Sequence, residues 1–283
     1  MDIQDRVALV TGGAMGIGKS VARALAAAGA AVVVADIDEG AGSETLGEIE
    51  RAGGRAAFVR ADVSKEEDVQ SMIAFAEKTF GGLDILVNNA GITTGRQTFP
   101  ELEPERWIRV LDVNLRGVIL GTQYGIEAMR RRGGGVIVNI SSMAGIGSGP
   151  SPMPVYAASK AGIVRFTTAL APLKDSLNIR VNCVCPDVVD TPMTRRTRVE
   201  APEQWAQFAR LELLQPEEIA EAVLDFVRDD SLAGRVMYSL CGLPRRLMPV
   251  LDGLVWSSSP ERLDILGWHD LRSYFAKPAQ ETP

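Results

Sequence analysis

Histidine is almost missing from this 283-residue chain; His269 is the only one. A Ser-His-Asp triad, a two-histidine zinc helix or an imidazole general base would all have to rest on it. It lies in the least patterned part of the sequence, near the C-terminal end, and no role is assigned to it. Cysteine is scarce as well: three residues do not make a disulfide framework. Cys183 and Cys185 alternate along an expected strand and share one face. Two thiols without further ligands make a poor metal site, so they are read as core and no metal is expected. Basic residues are outnumbered, 30 Lys and Arg against 36 Asp and Glu, for a net charge of −6. That excludes the basic face of a general nucleic-acid binder. Long apolar runs are lacking too. The longest, roughly 24–35, is too short to span a bilayer and contains Gly29. The opening Met1-Asp2-Ile3-Gln4-Asp5-Arg6 has no basic stretch leading into an apolar one, so no secretory signal and a cytoplasmic location are expected.

What the chain does have is alternation. Arg6 to Thr11 reads as a short buried parallel strand, followed by Thr11-Gly12-Gly13-Ala14-Met15-Gly16-Ile17-Gly18 and a helix-like run to Ala28. Strand, glycine turn and helix frame a dinucleotide phosphate loop. Gly12 permits the tight turn, Gly16 the approach of the pyrophosphate, and Gly18 close helix–strand packing. The helix N-terminus then offers free N–H groups to phosphate. A purely structural turn stays open at this point. The second strand, Ala31 to Ala35, ends in Asp36, about twenty residues after the loop. A carboxylate there accepts ribose hydroxyls and repels a 2′-phosphate, and Ile37, not an arginine, follows it. NAD is therefore favoured over NADP, although Asp36 could also simply cap the next helix.

The pattern continues with a helix from Glu39 to Ala52, a strand from Ala56 to Arg60, and Asp62-Val63 just past its end, where ligands collect in doubly wound sheets. Ser64 with Glu67 spells a capping box opening a helix to about Phe80. A fourth strand, Leu83 to Val87, leads into Asn88-Asn89-Ala90-Gly91. Helices over Glu103 to Asp112 and Leu115 to Arg132 meet at Asn114, read either as a benign kink or as a break whose freed carbonyl holds a water. A fifth strand, Gly135 to Ile140, ends in Ser141-Ser142, and a sixth, Ile179 to Val184, leads to Pro186-Asp187-Val188-Val189-Asp190-Thr191. Residues 194–214 read as a lid with helical pieces, whose Arg195, Arg196 and Arg198 form a solvated face. A helix from Pro216 to Arg228 and a seventh strand from Arg235 to Ser239 complete a parallel sheet with helices on both sides.

Between the fifth and sixth strands a helix is expected to run from Val155 to about Ser176, with Tyr156 and Lys160 one turn apart on one face. An ammonium beside a phenol favours the phenolate and is expected to lower its pKa. So tuned, Tyr156 becomes a general acid/base for a hydroxyl proton. Taken alone, the pair reads more readily as surface decoration, and it is the rest of the chain that turns it into a site.

Taken together, Thr11-Gly12-x-x-x-Gly16-x-Gly18, Asp62, Asn88-Asn89-Ala90-Gly91, Asn114, Ser142, Tyr156-x-x-x-Lys160 and Pro186 to Thr191 resemble the short-chain dehydrogenase/reductase family over residues 5 to about 240. Pro154-Val155-Tyr156, Gly162-Ile163-Val164 and the segment Ile219 to Met237 look most like its NAD-dependent 15-hydroxyprostaglandin dehydrogenase type. The resemblance implies an α/β doubly wound Rossmann fold with a seven-stranded parallel sheet in one domain over 1–244. The lid would lie at about 190–214 and a C-terminal extension over 245–283. It implies that Tyr156 exchanges the proton with the substrate oxygen and that Lys160 tunes Tyr156 and holds the nicotinamide ribose. Ser142 would bind the substrate oxygen, and Asn114 would fix a water linking Lys160 to solvent. The cofactor would lie along Gly12, Met15, Gly16, Ile17 and Gly18, with Asp36 and Ile37 at the adenosine ribose and Asp62 and Val63 at adenine. Asn88, Ala90 and Gly91 would line the ribose side, with Pro186, Val189 and Thr191 at the carboxamide.

The expected activity is NAD-dependent interconversion of a secondary alcohol and a ketone, in a homodimer or homotetramer. A largely apolar substrate would meet Met143, Ile146, Met153, Met193, Trp205 and Phe208. The alternatives are an NADP-dependent carbonyl or 3-oxoacyl reductase and a non-catalytic NAD(H) sensor. The chain departs from the family pattern in two places that bear on the site. Fourteen residues separate Ser142 from Tyr156 where thirteen are usual, which keeps Ser141 as a reserve, and Asp187 stands where glycine is usual.

Overall fold

In the computed structural model the described residues are 1–95, 99–147, 151–200 and 202–249. His269 and all of the expected extension beyond residue 249 lie outside them. Seven strands are parallel: β1 (Val7–Thr11), β2 (Ala31–Asp36), β3 (Arg55–Arg60), β4 (Ile85–Asn88), β5 (Gly135–Ile140), β6 (Ile179–Pro186) and β7 (Val236–Ser239). An eighth, β8 (Arg246–Leu247), pairs antiparallel with β7 at the edge. The sheet therefore has eight strands rather than seven. Gly242, at φ +74°, helps to turn the chain back after β7, and Met248 N–H donates to the Val236 carbonyl at 2.7 Å.

The strand order is β3-β2-β1-β4-β5-β6-β7-β8. The chain winds outward from β1 to β3, then crosses back to place β4 on the other side of β1. That reversal opens a crevice beyond the carboxyl ends of β1 and β4. The central strands are apolar and fully buried because helices cover both faces. On one face, α1 (Gly16–Ala27) and α10 (Pro216–Arg228) bury Val21, Leu25, Val223 and Phe226 against Val10, Val32 and Val138. On the other, α3 (Glu66–Phe80) and α5 (Gly117–Arg131) bury Met72, Ile73 and Met129 against Leu9, Val33 and Leu86. A fully buried Leu or Met contributes about 1.5–3 kcal/mol, so these two layers hold the crevice rigid.

Local chemistry explains where the elements begin and end. The α2 helix (Glu39–Arg51) is capped by Asp38, whose carboxylate accepts from Ala41 N–H at 3.0 Å; Asp36 is not its cap. The capping box expected at Ser64 does not form, because the Ser64 hydroxyl donates instead to Asp62 at 2.7 Å and the helix starts two residues later. The expected single helix after the Ser141-Ser142 loop is two, α6 (Pro154–Ala169) and α7 (Leu173–Leu177), since Pro172 lacks the N–H that would continue the first. The helices flanking Asn114, α4 (Pro104–Leu111) and α5, are joined without a break by a π-helical turn, Asp112–Arg116. The extra residue widens the helix there, a form of bulge that gathers at functional sites. Two short helices, α8 (Pro192–Glu200) and α9 (Pro202–Trp205), lie between β6 and α10. No helix among the described residues is long and apolar enough to cross a membrane.

Candidate active site

A cleft of about 370 Å³ runs along the crevice. At one end lies the glycine turn. Gly12 and Gly16 have φ of +61° and +54°, which β-carbon-bearing residues adopt at a cost. A β-carbon at Gly18 would sit 2.0 Å from the Gly12 carbonyl oxygen, so only glycine lets α1 lie this close to the loop. The N-terminus of α1 has no side-chain cap and no acidic residue in its first turn. Its free N–H groups and positive dipole end face the cleft lined by Met15, Gly16 and Ile17, an arrangement that suits a phosphate. The loop is braced from behind. Asn89 Nδ2 donates to the carbonyls of Thr11 and Gly12 at 2.9 and 3.0 Å, and Thr11 Oγ1 accepts from Asn89 and Ala90 N–H.

Asp36 ends β2 and accepts from Ala14 N–H at 3.0 Å and Asp38 N–H at 3.1 Å. It reaches the cleft together with Ile37, Asp38, Asp62 and Val63. Asp62 Oδ1 is held by the Ser64 N–H and hydroxyl, and Oδ2 by Arg109 at 3.0 Å. Burial pushes the Asp62 carboxyl up, but the Ser64 hydrogen bonds and the Arg109 guanidinium outweigh it and hold it below the usual range. The three carboxylates lining the cleft, Asp36, Asp38 and Asp62, stand at this end against one cation, Arg109.

At the other end stand Tyr156 and Lys160 on the first turns of α6, with Gly91 beside the Lys160 ammonium; Thr191, which also lines the cleft, packs against Gly16. Lys160 is 4% exposed, and its ammonium donates to the Ile140 carbonyl at 2.9 Å. Desolvation lowers its pKa to about 8. Its nitrogen lies 5.7 Å from the centre of the Tyr156 ring. The expected lowering of the Tyr156 pKa is reversed in the protein by itself. Desolvation of the phenol raises it, and the hydrogen bond from Ser142 pulls it back only in part. The Ser142 hydroxyl accepts from Ala144 N–H at 3.1 Å, which leaves its own proton for Tyr156 or a ligand. Ser141, the reserve residue, lines the cleft, but its hydroxyl donates to the Lys160 carbonyl at 2.7 Å, tying β5 to α6.

Asn114 is fully buried in the π-turn and makes a two-bond clasp with Ile92: Oδ1 accepts from the N–H at 2.8 Å and Nδ2 donates to the carbonyl at 2.9 Å. Nδ2 also donates to Ser159 Oγ at 3.2 Å, which donates in turn to the Tyr156 carbonyl at 2.7 Å. Asn114 thus sets the height of the Gly91 loop against α6. Asn88 departs from its expected place. Its amide points into the core, donating to Asn139 at 2.9 Å and Thr122 at 3.2 Å, and it is Asn89 that lines the cleft. The side chain of a strand's last residue must alternate with its neighbours, and Asn88 falls on the covered face.

Pro186 ends β6 and Val189 is buried in the turn that follows; neither lines the cleft, whereas Thr191 does. Asp187 turns away from the cleft, accepting from Cys241 N–H at 3.4 Å and so fixing the turn after β7. The expected lid is tied at its base, where Asp190 N–H donates to the Leu214 carbonyl and Leu214 N–H to Val188, at 2.8 and 3.0 Å. Arg195 pairs bidentately with Asp190 and Arg196 with Glu200. Of the six apolar residues expected around a substrate, only Met193 lines the cleft; Ile146 and Met143 pack into the core beside Cys183 and Cys185, and Trp205 stacks edge-on against Phe208. The two strand cysteines have their sulfurs 3.8 Å apart, and no cluster of metal-binding side chains exists among the described residues. Two residues of this region carry no family motif. Arg109 stands on α4, where the sequence offers only an amphipathic helix. Thr194 bonds Thr191 and Val189, and its only sequence signal is the Thr-x-x-Thr spacing.

A family model described as short chain dehydrogenase matches residues 6–202. A cyclopentanol dehydrogenase of Comamonas testosteroni is 40% identical over 237 residues, 81% of this chain and 92% of that protein. A cis-4-hydroxycyclohexanecarboxylate dehydrogenase of Sinomonas cyclohexanicum is 39% identical over 226 residues, covering 80% and 90%. Among solved structures, an actinorhodin polyketide ketoreductase with NADPH superposes with a TM-score of 0.78 at 35% identity, over 84% of this chain and 96% of that one.

Proposed function

We propose that this chain, which belongs to the short chain dehydrogenase family, interconverts a cyclic, largely apolar secondary alcohol and its ketone with NAD. Membership and relatives that are dehydrogenases of alcohols make it an oxidoreductase acting on CH–OH groups. The finer reading rests on one observation. A single cleft carries a phosphate-ready helix end and three carboxylates at one end, and Tyr156 with Lys160 at the other. Its residues fit a nicotinamide dinucleotide: the glycine turn has no room for side chains, and the helix end has no side-chain cap among the described residues.

When bound, NAD supplies the hydride acceptor. The protein supplies the proton path and the orientation. As the phenolate Tyr156 would take the alcohol proton, and as the phenol it would return it to the ketone; its raised pKa favours the phenol at neutral pH and so the ketone-reducing direction there. Ser142, with its proton free, stabilises charge on the substrate oxygen. Lys160 spends one N–H on Ile140 and keeps two for the cofactor ribose and the phenolate side. Three carboxylates against one arginine at the far end repel a 2′-phosphate, which supports NAD over the NADPH bound by the ketoreductase relative. The ring-alcohol relatives support a compact cyclic substrate more directly than the long side chain of a 15-hydroxyprostaglandin. A cytoplasmic homodimer or homotetramer fits the family; light scattering tests the assembly.

The deciding assay follows reduced nicotinamide absorbance with NAD or NADP and a panel of cyclopentanol, cyclohexanol and linear secondary alcohols at pH 7 to 9. Turnover with NAD and a ring alcohol, lost in Tyr156→Phe, is the expected result. Preference for NADP, or for linear alcohols alone, would overturn the corresponding half of the proposal.

A further inference from the structure

Sulfur is shielded in this protein except at the cleft. Cys183 and Cys185 are fully buried. Cys241 is half-buried, and its thiol is held above the usual range, by burial first and by the Asp187 carboxylate second. A thiol kept protonated reacts poorly with oxidants. The nine methionines all fall among the described residues. Only two of them are exposed, Met15 at 41% and Met193 at 39%. Both line the cleft.

The two thioethers flank one contact. Met15 is the N-cap residue of α1, directly before Gly16. Met193 lies in the first turn of α8, directly after Pro192. A β-carbon on Gly16 would lie 3.2 Å from the Thr191 methyl and 3.6 Å from Pro192 Cδ. The glycine turn and the start of α8 therefore touch within two residues of each methionine. A thioether is apolar and leaves the first N–H groups of α1 to a ligand. A peroxide can change that. Its O–O bond breaks on the sulfur lone pair, the sulfur gains one oxygen and gives up two electrons, and the peroxide leaves as water or an alcohol. The sulfoxide oxygen is a polar acceptor. At Met15 it would stand next to N–H groups that have no side-chain cap among the described residues. There it competes with a phosphate oxygen for the same donors and repels its charge.

We propose that Met15 and Met193 form an oxidation site at which a peroxide, by converting the thioethers to sulfoxides, lowers the affinity of the cleft for a dinucleotide, and which a bound dinucleotide shields. The proposal rests on the reading that the cleft holds a dinucleotide with its pyrophosphate at the glycine turn.

The test treats the full chain with hydrogen peroxide, with and without ADP-ribose. Peptide mass mapping locates the added oxygen, and calorimetry measures ADP-ribose affinity before and after. Met15 and Met193 are expected to gain oxygen before any other methionine, and more slowly with ADP-ribose present. Affinity should fall by at least about tenfold, the lower range for one hydrogen bond to a charged group. Methionine sulfoxide reductases should restore it. Met15→Leu with Met193→Leu keeps the bulk without the sulfur. Whatever its starting affinity, that variant should show the same value before and after peroxide. Oxygen spread evenly over the methionines, oxidation of these two with unchanged affinity, a loss the reductases do not reverse, or an equal loss in the double variant would each overturn the proposal. Untreated wild type that binds neither ADP-ribose nor NAD would instead overturn the dinucleotide reading beneath it.

Discussion

Gly91→Ala should leave the fold intact and disable the site. A β-carbon at Gly91 would lie 3.4 Å from Asn114 Oδ1, 3.5 Å from the Lys160 nitrogen and 3.8 Å from the Asn89 carbonyl oxygen. These are ordinary contacts, and Gly91 is not among the glycines of positive φ. A compatible Gly→Ala change stabilises by roughly 0.4–1 kcal/mol through the unfolded chain. The melting temperature is therefore expected to hold or rise. The methyl, however, fills the gap between Asn114 and the Lys160 ammonium, whose single protein acceptor is Ile140 among the described residues. A relay water or ribose hydroxyl held by Lys160 on its Asn114 side would occupy that gap. Losing one hydrogen bond to a charged group costs about 1.5–3 kcal/mol, or about 10- to 150-fold in kcat/KM. The assay pairs thermal unfolding with alcohol-dependent reduction of NAD. Activity within twofold of wild type in a stable variant would refute the reasoning, because the gap would then have no catalytic occupant. A lowered melting temperature would refute the packing half of it.

Other predictions concern single groups. Tyr156→Phe should bind NAD normally and lose at least about a hundredfold in kcat, the usual contribution of a positioned acid/base; separate binding and turnover measurements check it. Lys160 has a folded-state pKa of about 8, below the unfolded value of 10.5. The unfolded chain therefore holds more protons between those values, and wild-type stability should rise with pH through that window. Lys160→Met lacks the slope, so the difference in melting temperature between variant and wild type should shift in favour of wild type from pH 8 to 10.5 and stay flat below pH 8. Asp36→Asn keeps an acceptor for Ala14 N–H and removes a charge, and should raise relative use of NADP by about tenfold; the ratio of kcat/KM for the two cofactors measures this. Gly18→Ala should destabilise by several kcal/mol or prevent folding, since its β-carbon would lie 2.0 Å from a backbone oxygen, and urea titration reads the loss.

Much of this protein is legible in one dimension because its signals are local. Short apolar strands, a glycine turn, a carboxylate at the end of β2 and a Tyr-x-x-x-Lys helix each carry their reason within about twenty residues. Their order implies a parallel sheet, and a parallel sheet brings every strand's carboxyl end to one edge. That is why Gly12, Asp36, Asp62, Gly91, Tyr156 and Thr191 line one cleft. Endings were harder to read: Pro172 divides an apolar-periodic run, and Ser64 serves Asp62 rather than its own helix.

The sequence by itself determined the strand and helix order, the residue types at the crevice and the chemistry they offer. Only the tertiary structure decided which way side chains turn and what they already hold. Asn88 faces the core while Asn89 braces the loop, a choice made by the pleat and by Asn139, 51 residues away. Asp187 turns to Cys241, and Arg109 reaches Asp62 from a helix 47 positions on. The pKa of Tyr156 rises rather than falls because desolvation depends on everything packed around the phenol, whereas the spacing to Lys160 reports one neighbour.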